Sequence, residues 1–342
     1  MRIFKYLSIV LFVFIGFLVL FHPQYQEFNG YIFNTYYHIK IKTGKIDNDL
    51  HQEIKYILED INNTMSVFVS SSELSKLNQY PAYKQFKLSP DLSYVLKSSW
   101  KINQQSNGAF DPAISPLIDL WGFGRNKNHQ PLPTSKQIEE VLAYSRFSKL
   151  KFSNDFSLIS KTDSRTEINL SAIAKGFAVD KIAEILNHKG YKNYIIDIGG
   201  EVKASGKRDN RGNGWNIGVG VPQENTLANA LVIELNDLAV ATSGDYRNFR
   251  TIENKKYSHT ISPFTGNTVV NNLASVTVFN SSCMEADAYA TAIMSMGEKQ
   301  GREFADKHRL AVIFFIHTEN NGFIVKYSHQ AQQMLGVYNE TN

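Results

Sequence analysis

From Ser281 to Ala292 the chain reads Ser-Ser-Cys-Met-Glu-Ala-Asp-Ala-Tyr-Ala-Thr-Ala, and this run constrains the fold more than any other. Alanines at 286, 288, 290 and 292 favour helix and leave little bulk, so another backbone or a ligand can approach the helix closely. Ser282 followed by Glu285 has the spacing of a capping box, which predicts a helix beginning just before Met284. Asp287 and Thr291 then lie one turn apart on a single face. A carboxylate and a hydroxyl so placed suit a hard cation such as Mg2+, which prefers oxygen donors. The same spacing also fits a solvated or locally hydrogen-bonded helix face, so the pair alone does not choose between the two.

With 342 residues, 43% of them hydrophobic and 12% aromatic, the chain can build a sizeable core. A formal charge of +4 without a long run of Lys or Arg implies neither nucleic acid nor an acidic partner. The first segment is different. Met1-Arg2-Ile3-Phe4-Lys5 is a basic head on an uncharged, mostly apolar run from Tyr6 to Phe21, the length of a signal peptide or a short membrane anchor. No Ala-x-Ala site follows and the only cysteine, Cys283, is far away, so an uncleaved anchor is expected over residues 1–22. Basic residues resist translocation, which places residues 23–342 outside as one domain. That domain has no disulfide available and must be held by its core.

Along this domain, a linker near His22 to Phe28 leads into a β-branched and aromatic strand over Tyr31 to Ile41. Ile54, Ile57, Leu58, Ile61 and Met65 form a helical stripe between Asp49 and Phe68. Ser70 to Asn78 reads as a polar surface loop opening a short helix. Gly108 to Gly124, rich in glycine, proline and aromatics, has the composition of a loop packed over a ligand or over the core. A loop over Asn126 to Pro133 precedes a short helix over Ser135 to Ala143. A further helix over Phe177 to Leu186 is preceded by Asn169 and Ser171 as candidate caps. Its small-residue N-terminus, with Lys175, suits either a phosphate or close packing on a sheet. Strands are expected at Tyr194–Ile198 before a Gly199-Gly200 turn, at Trp215–Val221, at Leu231–Leu235, from Leu238 into a polar loop, and at Ala274–Phe279. A terminal hairpin over Val312–Ile316 and Phe323–Tyr327 should turn at Asn320-Asn321-Gly322. His259 stands beside the Ser262-Pro263 turn, and a lone histidine is by itself more often structural than catalytic. No Walker loop, GxGxxG after a strand, His-Glu-x-x-His or paired-cysteine site is present, which removes support for nucleotide kinases, Rossmann enzymes and zinc enzymes.

Seven ordered stretches together resemble the FAD:protein FMN transferases of the ApbE type, from about Gly30 to Lys326. They are Met65–Phe68 with Ser72–Asn78, Gly108–Gly124, Leu170–Asp180, Asn193–Glu201, Thr242–Phe249, Ser258–Gly266 and Met284–Thr291. The resemblance implies an α+β fold, a single two-lobed domain with a largely antiparallel sheet and a flavin-binding cleft. It also implies Mg2+-dependent transfer of FMN from FAD to a Thr hydroxyl of an exported redox protein, with release of AMP, on the periplasmic side of the inner membrane. An FAD pyrophosphatase giving FMN and AMP, or a flavin-binding carrier without catalysis, would use the same FAD site.

By the same resemblance Asp287 and Thr291 would hold the metal through their side chains, joined by the carbonyls of Ala172 and Ala290. Phe33, where the family usually has Met, and Phe68 would line the flavin or adenine. Ala109, Phe110 and Asp111 would grip the nucleotide, with Asn169 at the adenosine and Lys175 at phosphate or flavin. His259 would accept the proton of the attacking hydroxyl. Asn169 and Ser262 stand where the family usually has Asp.

Overall fold

A computed structural model of the protein describes residues 24–45, 47–125, 131–220, 231–244, 249–252, 255–318 and 322–337. The expected anchor over 1–22 lies outside the described residues, as do residues 126–130 of the polar loop and the turn at Asn320-Asn321. Among the described residues no helix is long and apolar enough to cross a membrane.

The chain begins with a hairpin of β1 (Tyr25–Ile32) and β2 (Thr35–Lys42). This corrects the expected linker followed by one strand. The turn is Phe33-Asn34, with φ of 51° and 61°, the left-handed pair that a two-residue hairpin needs. Phenylalanine does not advertise such a turn, and the register is held instead by cross-strand packing. Tyr37 is paired with Gly30, where a Cβ would collide with the tyrosine ring. Next come α1 (Leu50–Met65), which buries Ile54, Leu58, Ile61 and Met65 as its stripe predicts, and α2 (Glu73–Gln79). Ser72 caps α2 by accepting the Ser75 N–H at 2.9 Å. The expectation of a surface segment fails here, because Leu74, Ser75, Leu77 and Asn78 are all buried.

Beyond it are β3 (Phe86–Lys87), α3 (Pro90–Gln105), α4 (Ser115–Leu120), α5 (Ser135–Leu142), β4 (Leu150–Phe152), β5 (Leu158–Lys161) and α6 (Ala174–His188). Five strands follow: β6 (Tyr194–Ile198), β7 (Glu201–Ser205), β8 (Trp215–Val219), β9 (Leu231–Leu235) and β10 (Leu238–Gly244). Then come β11 (Phe249–Ile252), β12 (Lys255–Ser258), β13 (Leu273–Asn280), α7 (Cys283–Lys307), β14 (Ala311–His317), β15 (Phe323–Tyr327) and α8 (His329–Leu335). The Gly108–Gly124 stretch thus holds a helix rather than loop throughout. Pro116 in its first turn costs nothing, since no amide is needed there.

Eight strands form one sheet in the order β1-β2-β6-β7-β10-β13-β14-β15, every neighbouring pair antiparallel. The fold is α+β with a mainly antiparallel sheet. In β14 the side chains of Val312, Phe314 and Ile316 join the core beneath α1, α6 and α7, while Ala311, Ile313 and Phe315 join a second core on the opposite face. A strand buried on both faces reads as a continuous apolar run, and each large side chain it buries contributes roughly 1.5–3 kcal/mol. The second core is covered by β8, β9 and α8, through Trp215, Ile233, Leu235 and Ala331. A smaller cluster of Leu117, Trp121, Ile138 and Ile261 joins α4 and α5 to the segment after β12, where the Trp121 indole donates to the Gly266 carbonyl at 2.8 Å.

Candidate active site

The Ala-rich run does what its composition suggests: α7 meets another backbone at close range. A Cβ at Gly176 in the first turn of α6 would collide with the Cys283 carbonyl at the start of α7. Ser282 caps α7 by accepting the Glu285 N–H at 3.2 Å, but the predicted capping box is only half made. The Glu285 carboxylate pairs with Lys101 at 2.9 Å, and the Ser282 N–H goes to Asn280 Oδ1 at 3.1 Å. Asp180 of α6 fastens the same end, accepting from the Ser282 hydroxyl at 2.8 Å, the Met284 N–H at 3.0 Å and the Lys203 ammonium at 2.6 Å.

This crossing puts Asp287 at the N-terminus of α6. Neither Asn169 nor Ser171 caps that helix; the cap position is Ile173, which has no side-chain oxygen. Asn169 Oδ1 instead takes the Ser171 N–H at 2.9 Å, shaping the turn before the helix. The orphan amide of Gly176 donates to Asp287 Oδ2 at 3.2 Å, so a carboxylate from α7 supplies the missing cap and meets the positive end of the α6 dipole. Asp287 is only 7% exposed, and Oδ1 has no hydrogen-bond partner among the described residues. The half-buried Thr291 hydroxyl, one turn along, also lacks one among them. Ala290 is buried beside it, and Ala172 is half-buried in the turn ahead of α6.

Lys175 points to Glu201, an ion-pair partner that no sequence pattern singled out. Glu201 opens β7 directly after Gly199 and Gly200, both at positive φ, and is buried. Burial alone would lower the Lys175 pKa, but the Glu201 and Asp287 carboxylates outweigh it and the pKa is raised. Asp287 is raised because its burial outweighs the help of Lys175 and the Gly176 N–H. A Cβ on Gly199 would lie 2.8 Å from Thr35, so the hairpin tip carrying the half-buried Phe33 sits against the turn that leads to Glu201. Phe68, between α1 and α2, is 60% exposed.

The remaining candidates are held by neighbouring segments. The side chains of Ala109 and Phe110 are buried, the Ala109 N–H donates to the Ser106 carbonyl at 3.1 Å, the Phe110 N–H to Ser106 Oγ at 3.1 Å, and the Phe110 carbonyl accepts from the Asn103 amide at 2.8 Å, so of their main-chain groups only the Ala109 carbonyl has no partner among the described residues. Asp111 Oδ1 accepts from the Ala113 N–H at 2.8 Å and Oδ2 from the Phe147 N–H at 2.9 Å. Burial nonetheless pushes its pKa up to about 6, despite these two bonds. It borders a cavity of about 250 Å3 that Arg146 and the exposed Phe264 also line. His259 is half-buried, its ring edge-on to Phe123 at 6.4 Å. In the adjoining turn Ser262 Oγ accepts from Phe264 N at 3.3 Å and Thr265 N at 3.4 Å, doing with a hydroxyl what an Asp side chain would do there.

Asn78 was not foreseen as part of this architecture. Its amide both donates to the Ile168 carbonyl and accepts the Ile168 N–H, each at 2.8 Å, like one rung of a strand ladder. The Asn169 N–H then reaches the Pro112 carbonyl at 2.8 Å, so the strip leading to Ala172 and Lys175 is pinned on two sides. The structure therefore joins Lys175, Asp287, Ala290 and Thr291 to Gly176 and Glu201 in one centre. His259 instead stands beside Phe123, which packs against the cluster of Leu117, Trp121, Ile138 and Ile261.

Residues 33–314 match the ApbE family model. The chain is 36% identical over 308 residues to the FAD:protein FMN transferase of Haemophilus influenzae, covering 88% of each protein. It is also 36% identical over 296 residues to that of Vibrio cholerae, covering 85% of this chain and 87% of the relative. Among solved structures, the flavin transferase ApbE from Vibrio cholerae superposes with a TM-score of 0.83 at 33% identity, over 91% of this chain and 99% of that one. The Pseudomonas stutzeri flavinyl transferase ApbE in its apo form gives 0.85 at 28% identity, over 93% and 99%. With its fold matched at this level and most of its length inside the family model, the chain belongs to the ApbE family.

Proposed function

We propose that this chain transfers FMN from FAD to a threonine hydroxyl of an exported redox protein and releases AMP, with Mg2+ bound beside the diphosphate. Several relatives over most of its length carry the name FAD:protein FMN transferase, which supports the transferase activity and its FAD substrate. The observation that carries the reading is the α6–α7 crossing, where an α-helix N-terminus, Lys175 and a carboxylate with one uncommitted oxygen converge. Helix N-terminus and ammonium both favour a diphosphate.

The donor set fits Mg2+. Asp287 Oδ1 and the Thr291 hydroxyl are uncommitted oxygens one turn apart, and Lys175 is already paired with Glu201 rather than closing on Asp287. Among the described residues no three His, Cys, Asp or Glu side chains cluster as a metal site, so one protein carboxylate must be supplemented by substrate oxygens, as is usual for Mg2+. Asp287 and Thr291, with the Ala172 and Ala290 carbonyls, would hold it. Once bound, Mg2+ would neutralise the non-bridging phosphate oxygens.

In the transfer, the threonine oxygen bonds to the phosphorus of the FMN half, and the bond from that phosphorus to the bridging oxygen breaks. AMP leaves with the bridging oxygen. The hydroxyl proton passes to an imidazole nitrogen of His259, whose ring meets Phe123 at the margin of the Trp121 cluster that would form the second lobe of the cleft. The Tyr6–Phe21 run, with Arg2 and Lys5 inside, would anchor the enzyme at the inner membrane with its catalytic part in the periplasm.

The test is stoichiometry. With FAD, Mg2+ and an apo-protein that bears threonine-linked FMN in its mature form, each AMP should be matched by one FMN fixed covalently to that protein. His259→Ala should slow the transfer more than it weakens FAD binding. AMP and free FMN appearing equally fast with and without acceptor would mean that water is the true acceptor, and tight FAD binding with no AMP at all would mean a carrier.

A further inference from the structure

Glu201 places a carboxylate that is only 3% exposed beside the N-terminus of α6, paired with Lys175. A buried ion pair adds little stability over apolar residues of the same volume, so stability alone is a poor reason for it. Its placement is rigid. β6 and β7 form a hairpin in which Ile198 pairs with Glu201, closed by Gly199 and Gly200 at φ of 67° and 102°. β7 lies between β6 and β10, so its register is fixed on both sides. Alternate side chains of a strand share a face, and both Glu201 and Lys203 reach α6: Glu201 meets Lys175, and Lys203 meets Asp180 at 2.6 Å. The sheet therefore fixes where the Lys175 ammonium sits.

A second carboxylate, Asp287, also acts on that ammonium through space. The fold brings the two close, because Gly176, the residue after Lys175, donates its N–H to Asp287 Oδ2. Asp287 Oδ1 has no hydrogen-bond partner among the described residues, so an ammonium released from Glu201 would close on that oxygen. With Glu201 in place, two carboxylates face one ammonium and negative charge is left over to attract a cation. Without it, none is left over.

We propose that Glu201 is a positioning residue: it holds the Lys175 ammonium away from Asp287 Oδ1 and so keeps that oxygen open to the divalent cation. The proposal rests on Asp287 as a ligand of the cation, as in the transferase reading above. A carboxylate outside the ligand set can in this way orient the groups around a metal without touching it. The ammonium has three donors and Glu201 needs only one, so Lys175 can keep this partner while it also meets a diphosphate.

Glu201→Gln tests this, since it keeps the shape and an acceptor for Lys175 but removes the charge. Mg2+ is titrated calorimetrically into full-length enzyme saturated with FAD, and FAD affinity is measured separately without metal. The variant should bind Mg2+ roughly 10- to 100-fold more weakly. Metal-free FAD binding should hold, and melting should stay close to wild type because Asp287 replaces Glu201 as the partner of Lys175. Turnover should recover at saturating Mg2+, a change in the Mg2+ requirement rather than in kcat. In a Lys175→Met background the same substitution should leave Mg2+ affinity where that background puts it, since no ammonium remains to close on Asp287. Glu201→Asp keeps the charge one methylene further from Lys175; it should give a smaller shift in the same direction and stands in if Glu201→Gln does not fold. Unchanged Mg2+ affinity in a folded variant would overturn the proposal. An equal loss of Mg2+ affinity in the Lys175→Met background would also overturn it, because Glu201 would then act on the cation directly. A joint fall of Mg2+ affinity, FAD affinity and melting temperature, or failure of both variants to fold, would reduce the pair to a tie that holds the fold. Mg2+ binding by Asp287→Asn as tight as wild type would instead remove the cation reading itself, and the proposal with it.

Discussion

Lys161 and Lys175 are both taken largely out of water, and the protein treats them in opposite ways. Lys161 is 1% exposed, and its ammonium donates to the Asn78, Ser164 and Thr166 carbonyls at 2.7, 2.9 and 3.0 Å. All three donors are used, none by a charge, and burial lowers its pKa. Lys175 is part-exposed and faces two carboxylates, and its pKa is raised. The first arrangement is closed: nothing remains to bind a ligand, and the charge serves to tie Asn78 and the 164–166 turn together. The second is open, because Asp287 keeps an uncommitted oxygen and the ammonium can exchange a carboxylate for a phosphate. Burial of a charge therefore does not by itself mark a site; the identity and satisfaction of its partners do.

The sharpest separation of the two centres should come from Asp287→Asn. It removes the one carboxylate assigned to the cation while keeping an oxygen for the Gly176 N–H, so turnover in Mg2+ should fall by roughly 100- to 1,000-fold. Thermal stability should hold; a variant that unfolds instead would make this centre structural, like the other. Lys161→Met should show the reverse. Three carbonyls lose their donor, so urea unfolding should reveal a loss of about 3 kcal/mol, with little change in kcat for the folded enzyme. Loss of kcat without loss of stability would break the distinction.

Asp111 lies between the extremes, since two amides satisfy its oxygens but burial still raises its pKa to about 6. In the native state it keeps a proton that the unfolded chain releases near pH 4, so its contribution to stability declines as pH rises from about 4 to about 6. The slope should approach ~1 kcal/mol per pH unit, and Asp111→Asn should abolish this part of it in denaturation curves taken across that range. An identical pH profile in the variant would show that Asp111 is solvated like any surface carboxylate. The smallest effect is expected of Ser262→Asp, which restores the residue usual in the family. Ser262 Oγ already accepts both turn amides, so stability should move by no more than about 0.5 kcal/mol. A larger gain would mean that the turn beside His259 is strained by the serine.

Local features are legible in the sequence. The stripe of α1, the two-sided apolar run of β14 and the small-residue start of α7 all depend on neighbours within a few positions, which is the range over which side-chain periodicity and capping operate. The helices α3, α4 and α8 and the strands β3 to β5, β7, β11 and β12 have no local pattern strong enough to stand out. Asp287, Thr291 and Lys175 were singled out by spacing and residue type, but their pairing was not. The Phe33-Asn34 turn was invisible because it depends on Tyr37 lying over Gly30 across the hairpin. Asn78 looked like surface because its partner, Ile168, is 90 positions away. Glu201 became a partner of Lys175 only when the Gly199-Gly200 turn brought β7 beside α6.

The sequence by itself therefore determined which segments are helix or strand wherever the pattern was strong, which family the chain resembles, and which side chains could do chemistry. Only the tertiary structure decided which of those groups are satisfied and which are left open. A buried polar or charged group is tolerable only when a specific partner offsets the loss of water, and for Lys175, Asp287, Asn78 and Glu201 that partner comes from a distant segment, whose arrival no local pattern encodes.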